Sequence, residues 1–213
     1  ERTLEIRIEL KDTVQIHRTY LNIGLCYLHT KKFKEAREMT QHALSLCGDH
    51  CDDEILMMGE FGLGESSVKL GDLTVARKHL TKSLEIARRN NDQRWQAENL
   101  VYLGVVAFES KQYDLAVKHL SQADTLARNA MYNQLLIDVY KHFSDLYNKT
   151  GDYQNAALYQ SKYIQLQDSL IGQELIKNIS KIQTNFEERE NIATIADREF
   201  RLTEHRNLNI AWV

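Results

Sequence analysis

The string Cys47-Gly48-Asp49-His50-Cys51 gathers two thiols, an imidazole and a carboxylate within five residues, a set that invites metal binding. A structural zinc site needs four such ligands at roughly 2.0–2.3 Å, commonly as two pairs at a fixed separation. No second pair follows here, so these residues read as structural, and a Cys47–Cys51 disulfide is open to them in an oxidising compartment. Gly62-Leu63-Gly64 lacks the length of a phosphate-cradling loop and is explained by close helix packing. His79 and His119 hold equivalent places, but stacked helices stand roughly 8–10 Å or more apart, too far for a shared metal. The chain contains no His-Glu-x-x-His and no Gly-x-Ser-x-Gly. These residues predict no catalytic site, no metal and no cofactor, which turns attention to binding.

Composition says what scaffold must do the binding. Among 213 residues there is no proline, and there are only nine glycines. Proline lacks the N–H that a helix interior needs, so its absence predicts helix almost throughout. Apolar residues make up 43% and are spread along the chain, which excludes a disordered segment. Basic and acidic residues number 27 and 30 and are interspersed, for a net charge of -3; no basic stripe marks a nucleic-acid surface. No apolar run approaches the roughly 20 residues of a membrane-spanning helix, and no secretory leader opens the chain. Leu4 to Arg7 read as the tail of a helix already under way, and Leu208 to Val213 turn apolar as the sequence stops.

An internal period of 40 residues organises everything between. Gly24, Gly64, Gly104 and Ser144 form one column, and Ala36, Ala76, Ala116 and Ala156 a second. Phe33, Leu73, Tyr113 and Tyr153 form a third, with Ile23, Leu63, Leu103 and Phe143 before the small residue each time. A small residue lets two helices of a hairpin approach closely, and the alanine marks where the second crosses the first. The spacing predicts helix pairs at 13–30 with 33–47, 53–70 with 73–89, 93–110 with 113–129, and 132–149 with 153–170. Gly71-Asp72 and Gly151-Asp152 mark turns within pairs, and Gly48-Asp49 and Asn90-Asn91-Asp92 turns between them.

This pattern resembles the tetratricopeptide repeat, with a period six residues longer than the usual 34 and without its closing proline. The resemblance implies an all-α fold, a right-handed solenoid of helical hairpins followed by a long C-terminal helix. Its organisation reads as residues 1–12 ending a preceding repeat, then four repeats at about 13–50, 53–90, 93–130 and 132–170. A signalling helix follows over 171–207, and 208–213 would begin a membrane span.

In repeats of this kind the first helices line a concave groove. The corresponding positions are Arg18, Asn22 and His29; Phe61, Glu65 and Lys69; Glu98, Tyr102 and Glu109; and Lys141, His142, Asp145 and Lys149. A mixed-charge groove with aromatics suits an extended peptide or another protein's helix. The lysine and asparagine that clamp a C-terminal carboxylate in some relatives are replaced by Leu21 and Leu25, so that specificity is not expected.

Beyond Asp168, Leu175, Ile179, Ile182 and Phe186 recur at spacings of 4, 3 and 4, the seam of a coiled coil that would pair two copies of the chain. Ile192, Ile195 and Leu202 continue the stripe with a shift of phase, and such a helix would extend on the order of 50–60 Å. A capping helix folded back on the last repeat is the alternative. Residues 165–206, with Gln167-Asp168-Ser169-Leu170 and Ile182-Gln183-Thr184-Asn185-Phe186-Glu187, look like the segment joining repeats to membrane in tetratricopeptide-containing sensor histidine kinases and regulators of the Bacteroidetes. That resemblance implies the sensor module of a two-component signalling protein on the periplasmic face of the inner membrane, anchored only through sequence beyond Val213. His205 is followed by Arg206 and Asn207 rather than an acidic residue, so it is read as a solvated side chain, and any kinase chemistry would lie outside this segment. The alternatives are a cytoplasmic peptide-responsive regulator and an assembly scaffold.

Overall fold

The computed structural model describes residues 13–47 and 51–210, and every described element is helical. The expectations for residues 1–12 and for the end of the chain at 211–213 lie outside the described residues. Eight helices follow in order: α1 Thr13–His29, α2 Phe33–Cys47, α3 Asp53–Leu70, α4 Leu73–Arg89, α5 Gln93–Glu109, α6 Tyr113–Asn129, α7 Asn133–Thr150 and α8 Tyr153–Ile210. The chain divides into two units, one ending at Tyr163 and one beginning at Ile164.

In the first unit, α1 packs on α2, α3 on α4 and α5 on α6, and each hairpin stacks on the next through its second helix. The first helices also touch in succession, α1 to α3 to α5 to α7, and so form an inner layer. The columns of the sequence set these contacts. The alanines at 36, 76 and 116 are 0% exposed and Ala156 is 3% exposed. A Cβ added to Gly24 would stand 2.6 Å from Thr40 Oγ1, one on Gly64 2.5 Å from Leu80 Cγ, and one on Gly104 2.9 Å from Leu120 Cγ. Ser144 closes the fourth pair differently, its hydroxyl 3.3 Å from Ala156 O and 3.2 Å from Gln160 Oε1. Gly62 faces Thr40 of the preceding hairpin, so both glycines of Gly62-Leu63-Gly64 serve close packing.

Helix ends repeat as strictly as helix faces. At Lys31, Gly71, Lys111 and Gly151 the backbone enters the left-handed region, with φ between 60° and 83°. Asn91 and Met131 do the same between hairpins, at 53° and 51°. Each turn is closed by two backbone hydrogen bonds, as where Gly71 N–H donates to Val68 O at 3.1 Å and Asp72 N–H to Ser67 O at 2.9 Å. Such a pair satisfies carbonyls that a helix end leaves unmade. Asp52 and Asp92 cap α3 and α5, accepting from Ile55 N–H at 2.8 Å and Trp95 N–H at 3.1 Å. The α2–α3 junction carries a disulfide between Cys47 and Cys51, the oxidised form of the two alternatives.

The column that a large aromatic usually fills holds Glu60 in the second hairpin. Its side chain is buried, and His79 Nδ1 and Lys82 Nζ from α4 each lie 2.6 Å from one of its oxygens. Removing such partners from a buried carboxylate is strongly destabilising.

The second unit is the remainder of α8. Leu175, Ile179, Ile182 and Phe186 are 59%, 47%, 67% and 61% exposed along it, and Ile192 and Ile195 are 66% and 56% exposed. No helix among the described residues is long and apolar enough to cross a membrane.

Candidate functional site: the inner face of the hairpin array

Side chains from successive first helices meet on the inner layer, and hydrogen bonds stitch one helix to the next. Arg18 of α1 reaches Glu54 of α3 at 2.6 Å. Glu65 of α3 accepts from the Tyr102 hydroxyl of α5 at 2.6 Å. Glu98 of α5 accepts from Tyr132, the residue before α7, at 3.0 Å, and Arg94 lies 4.9 Å above the Tyr132 ring. Each link spans 34 to 38 residues of sequence, close to one repeat.

The electrostatics of this face follow from partial burial. Burial pushes the Glu65 carboxyl up, partly opposed by the Tyr102 hydrogen bond and by Lys69, with Glu98 adding to the rise. Burial also raises the Tyr102 hydroxyl, and the neighbouring Glu65 holds it protonated. The His142 imidazole is lowered, first by burial and then by Lys141 and Lys69, with Asp145 opposing. His142 is therefore neutral at neutral pH.

All thirteen residues expected in the groove lie on α1, α3, α5 or α7. Glu65, Lys69, Glu98 and Tyr102 form one patch, with the Lys69 ammonium 6.0 Å from the centre of the Tyr102 ring. Arg18 and Asn22 line a cleft with Leu21, Glu54, Ile55 and Met58. Glu109, His142 and Asp145 line another with Val105 and Phe108. His29, Lys141 and Lys149 are exposed without an ion pair among the described residues. Phe61 differs from the expectation of an open aromatic: it is 4% exposed, packed edge-on against Trp95 and Tyr102 at 5.1 and 5.3 Å. It supports Tyr102 from below rather than meeting a ligand.

Reading by column passed over several residues that the face contains. Met58 and Asp138 share a column with Arg18 and Glu98, and Val105 shares one with Glu65 and Asp145, so the period of 40 was the signal that includes these three. Phe108 lies in a column that holds none of the thirteen, and only the cavity it lines reveals it. Arg94 and Tyr132 fall outside the groove columns, and their contacts with each other and with Glu98 reveal them. Among the described residues no group of three or more His, Cys, Asp or Glu side chains is placed to hold a metal ion.

The arrangement is a class of scaffold in which short helical hairpins present a continuous side-chain surface to a partner. Residues 17–50 and 53–129 match models of the tetratricopeptide repeat, a protein-interaction module. No curated protein matches the sequence. Among solved structures it is similar to aspartyl phosphate phosphatase F from Bacillus subtilis, with a TM-score of 0.71 and 16% identity over 78% of this chain and 44% of that one. It is also similar to BtubC (BKLC) from P. vanneervenii, TM-score 0.61, 17% identity, 75% of this chain and 66% of that one. A third is MamA (41-end) from Desulfovibrio magneticus RS-1, TM-score 0.53, 15% identity, 79% of this chain and 93% of that one. Identities this low establish the shared fold alone, and this chain spans less than two thirds of the first two.

Proposed function

We propose that the inner face binds a peptide or protein segment, and that the chain is the sensing and interaction module of a bacterial two-component signalling protein whose output runs through the helix beyond Ile164. The observation that carries this reading is the stripe of Leu175, Ile179, Ile182 and Phe186, each about half or more exposed. Large apolar side chains at 4-3 spacing are stable in water only when a partner helix covers them. A second copy of the same helix is the simplest cover, giving a homodimer whose pairing changes with the bound state of the groove. The Cys47–Cys51 disulfide supports a periplasmic location of the parent protein, because such bonds persist in oxidising compartments.

Two experiments test the reading. Sedimentation of the chain with and without residues 172–213 is expected to give a dimer and a monomer; two monomers would sink the signalling-helix proposal. The parent reading frame is expected to continue after Val213 with some 15–20 further apolar residues. A frame that continues polar favours the cytoplasmic regulator instead.

A further inference from the structure

A cavity of about 130 Å³ opens between α5 and α7. Its floor exists because residue 104 is glycine: Leu120 of α6 fills the space where a Cβ would stand, 2.9 Å from its Cγ. Val105 and Phe108 line it with apolar side chains, and the exposed Glu109 and Asp145 line it from facing helices. Both carboxylates are exposed, and neither has an ion pair or hydrogen bond among the described residues; Lys149, one turn beyond Asp145, makes none either. The remaining polar group, His142, is neutral for the reasons given above. The pocket therefore combines apolar side chains with two carboxylates that have no ion pair or hydrogen bond among the described residues. Sites for whole small molecules run to about 300–1,000 Å³, so one this size suits a single side chain.

We propose that this pocket takes one arginine or lysine side chain of the bound peptide, its methylenes against Val105, Phe108 and Leu120 and its cationic head between Glu109 and Asp145. The proposal rests on the inner-face reading and specifies its ligand. An apolar side chain would fill the cavity but strip water from two carboxylates with no compensating partner. An acidic one would meet two like charges. Arginine and lysine alone pair an apolar stem with a cationic tip.

The test uses four fluorescein-labelled, N-acetylated heptapeptides, Ser-Ala-Leu-Xaa-Leu-Ala-Ser, with Xaa arginine, lysine, norleucine or glutamate. Anisotropy titrations are expected to show the arginine and lysine peptides binding at least tenfold tighter than the norleucine peptide, and the glutamate peptide weakest. Glu109→Gln with Asp145→Asn is expected to bring the arginine peptide down to the norleucine level while leaving norleucine unchanged. Glu38→Gln with Asp114→Asn, the same charge change on second helices, is expected to do neither. Amide shifts at Gly104 and Val105 on adding the arginine peptide locate the contact. Equal binding of all four peptides, survival of the preference in the pocket variant, or equal loss in both double variants overturns the pocket and leaves the groove reading standing. Failure of every peptide to bind overturns both.

Discussion

At the residue scale, two glycines that look alike in sequence should respond oppositely to the same substitution. Gly64→Ala places a methyl 2.5 Å from Leu80 Cγ and 3.3 Å from its backbone nitrogen. Overpacking of this kind costs roughly 1–3 kcal/mol, against about 1 kcal/mol gained in helix propensity. A net loss of up to roughly 2 kcal/mol is expected in urea unfolding. Gly172→Ala meets nothing within 4 Å and should keep the propensity gain of up to about 1 kcal/mol. Met131 holds a left-handed turn at φ 51° with its side chain 83% exposed. A non-glycine residue pays roughly 1–2 kcal/mol there, partly offset by glycine's freedom in the unfolded chain. Met131→Gly should therefore raise stability by about 0.5–1 kcal/mol in the same measurement. The glycine and alanine columns were legible because a period of 40 repeats one steric demand. Glu60 was not legible: its column is aromatic or aliphatic elsewhere, and the compensating His79 and Lys82 lie 19 and 22 residues away on another helix.

At the element scale, the α2–α3 junction and the second unit make separate claims. The Cys47–Cys51 bond closes a loop of a few residues, which in the chain-entropy account contributes about 2 kcal/mol. Reduction should lower the unfolding midpoint accordingly, with Cys47→Ser in Cys51→Ser background unaffected by reductant. On α8, Ile179→Lys with Ile182→Lys should abolish self-association in sedimentation while the far-ultraviolet helical signal persists. The first seven helices were readable to within a residue or so because turn residues and hydrophobic spacing agree, as at Gly71-Asp72. The break expected at 170 is absent, and α8 runs unbroken from Tyr153 to Ile210, no turn residue interrupting it. The left-handed turns at Lys31 and Lys111 have no local signature, and only their register with Gly71 and Gly151 gives them away.

At the scale of the whole molecule, the inner face was legible as a list of columns but not as a shape. The thirteen expected residues fall on the right helices, yet the cavity beside Val105 depends on how far Leu120 reaches under Gly104, a depth that no column encodes. The same pocket makes binding sensitive to acid. Lowering the pH below the usual histidine range protonates His142, which adds a positive charge beside Lys141 and Lys69 and works against a cationic ligand. Affinity for the arginine peptide should fall several-fold through that range, and His142→Gln should remove this component, as read by anisotropy at matched ionic strength. The contact order of the inner layer, α1 to α3 to α5 to α7, also sets a metre for any ligand laid across it. Packed helices stand about 8–10 Å apart. A polyproline II strand advances roughly 3.1 Å per residue and turns once in three, so it returns the same face to the surface about every 9 Å. A β-strand, alternating every second residue, drifts out of step with that spacing. A partner wound with a threefold twist would thus meet each hairpin with an equivalent side chain, and its sequence would be scanned in triplets.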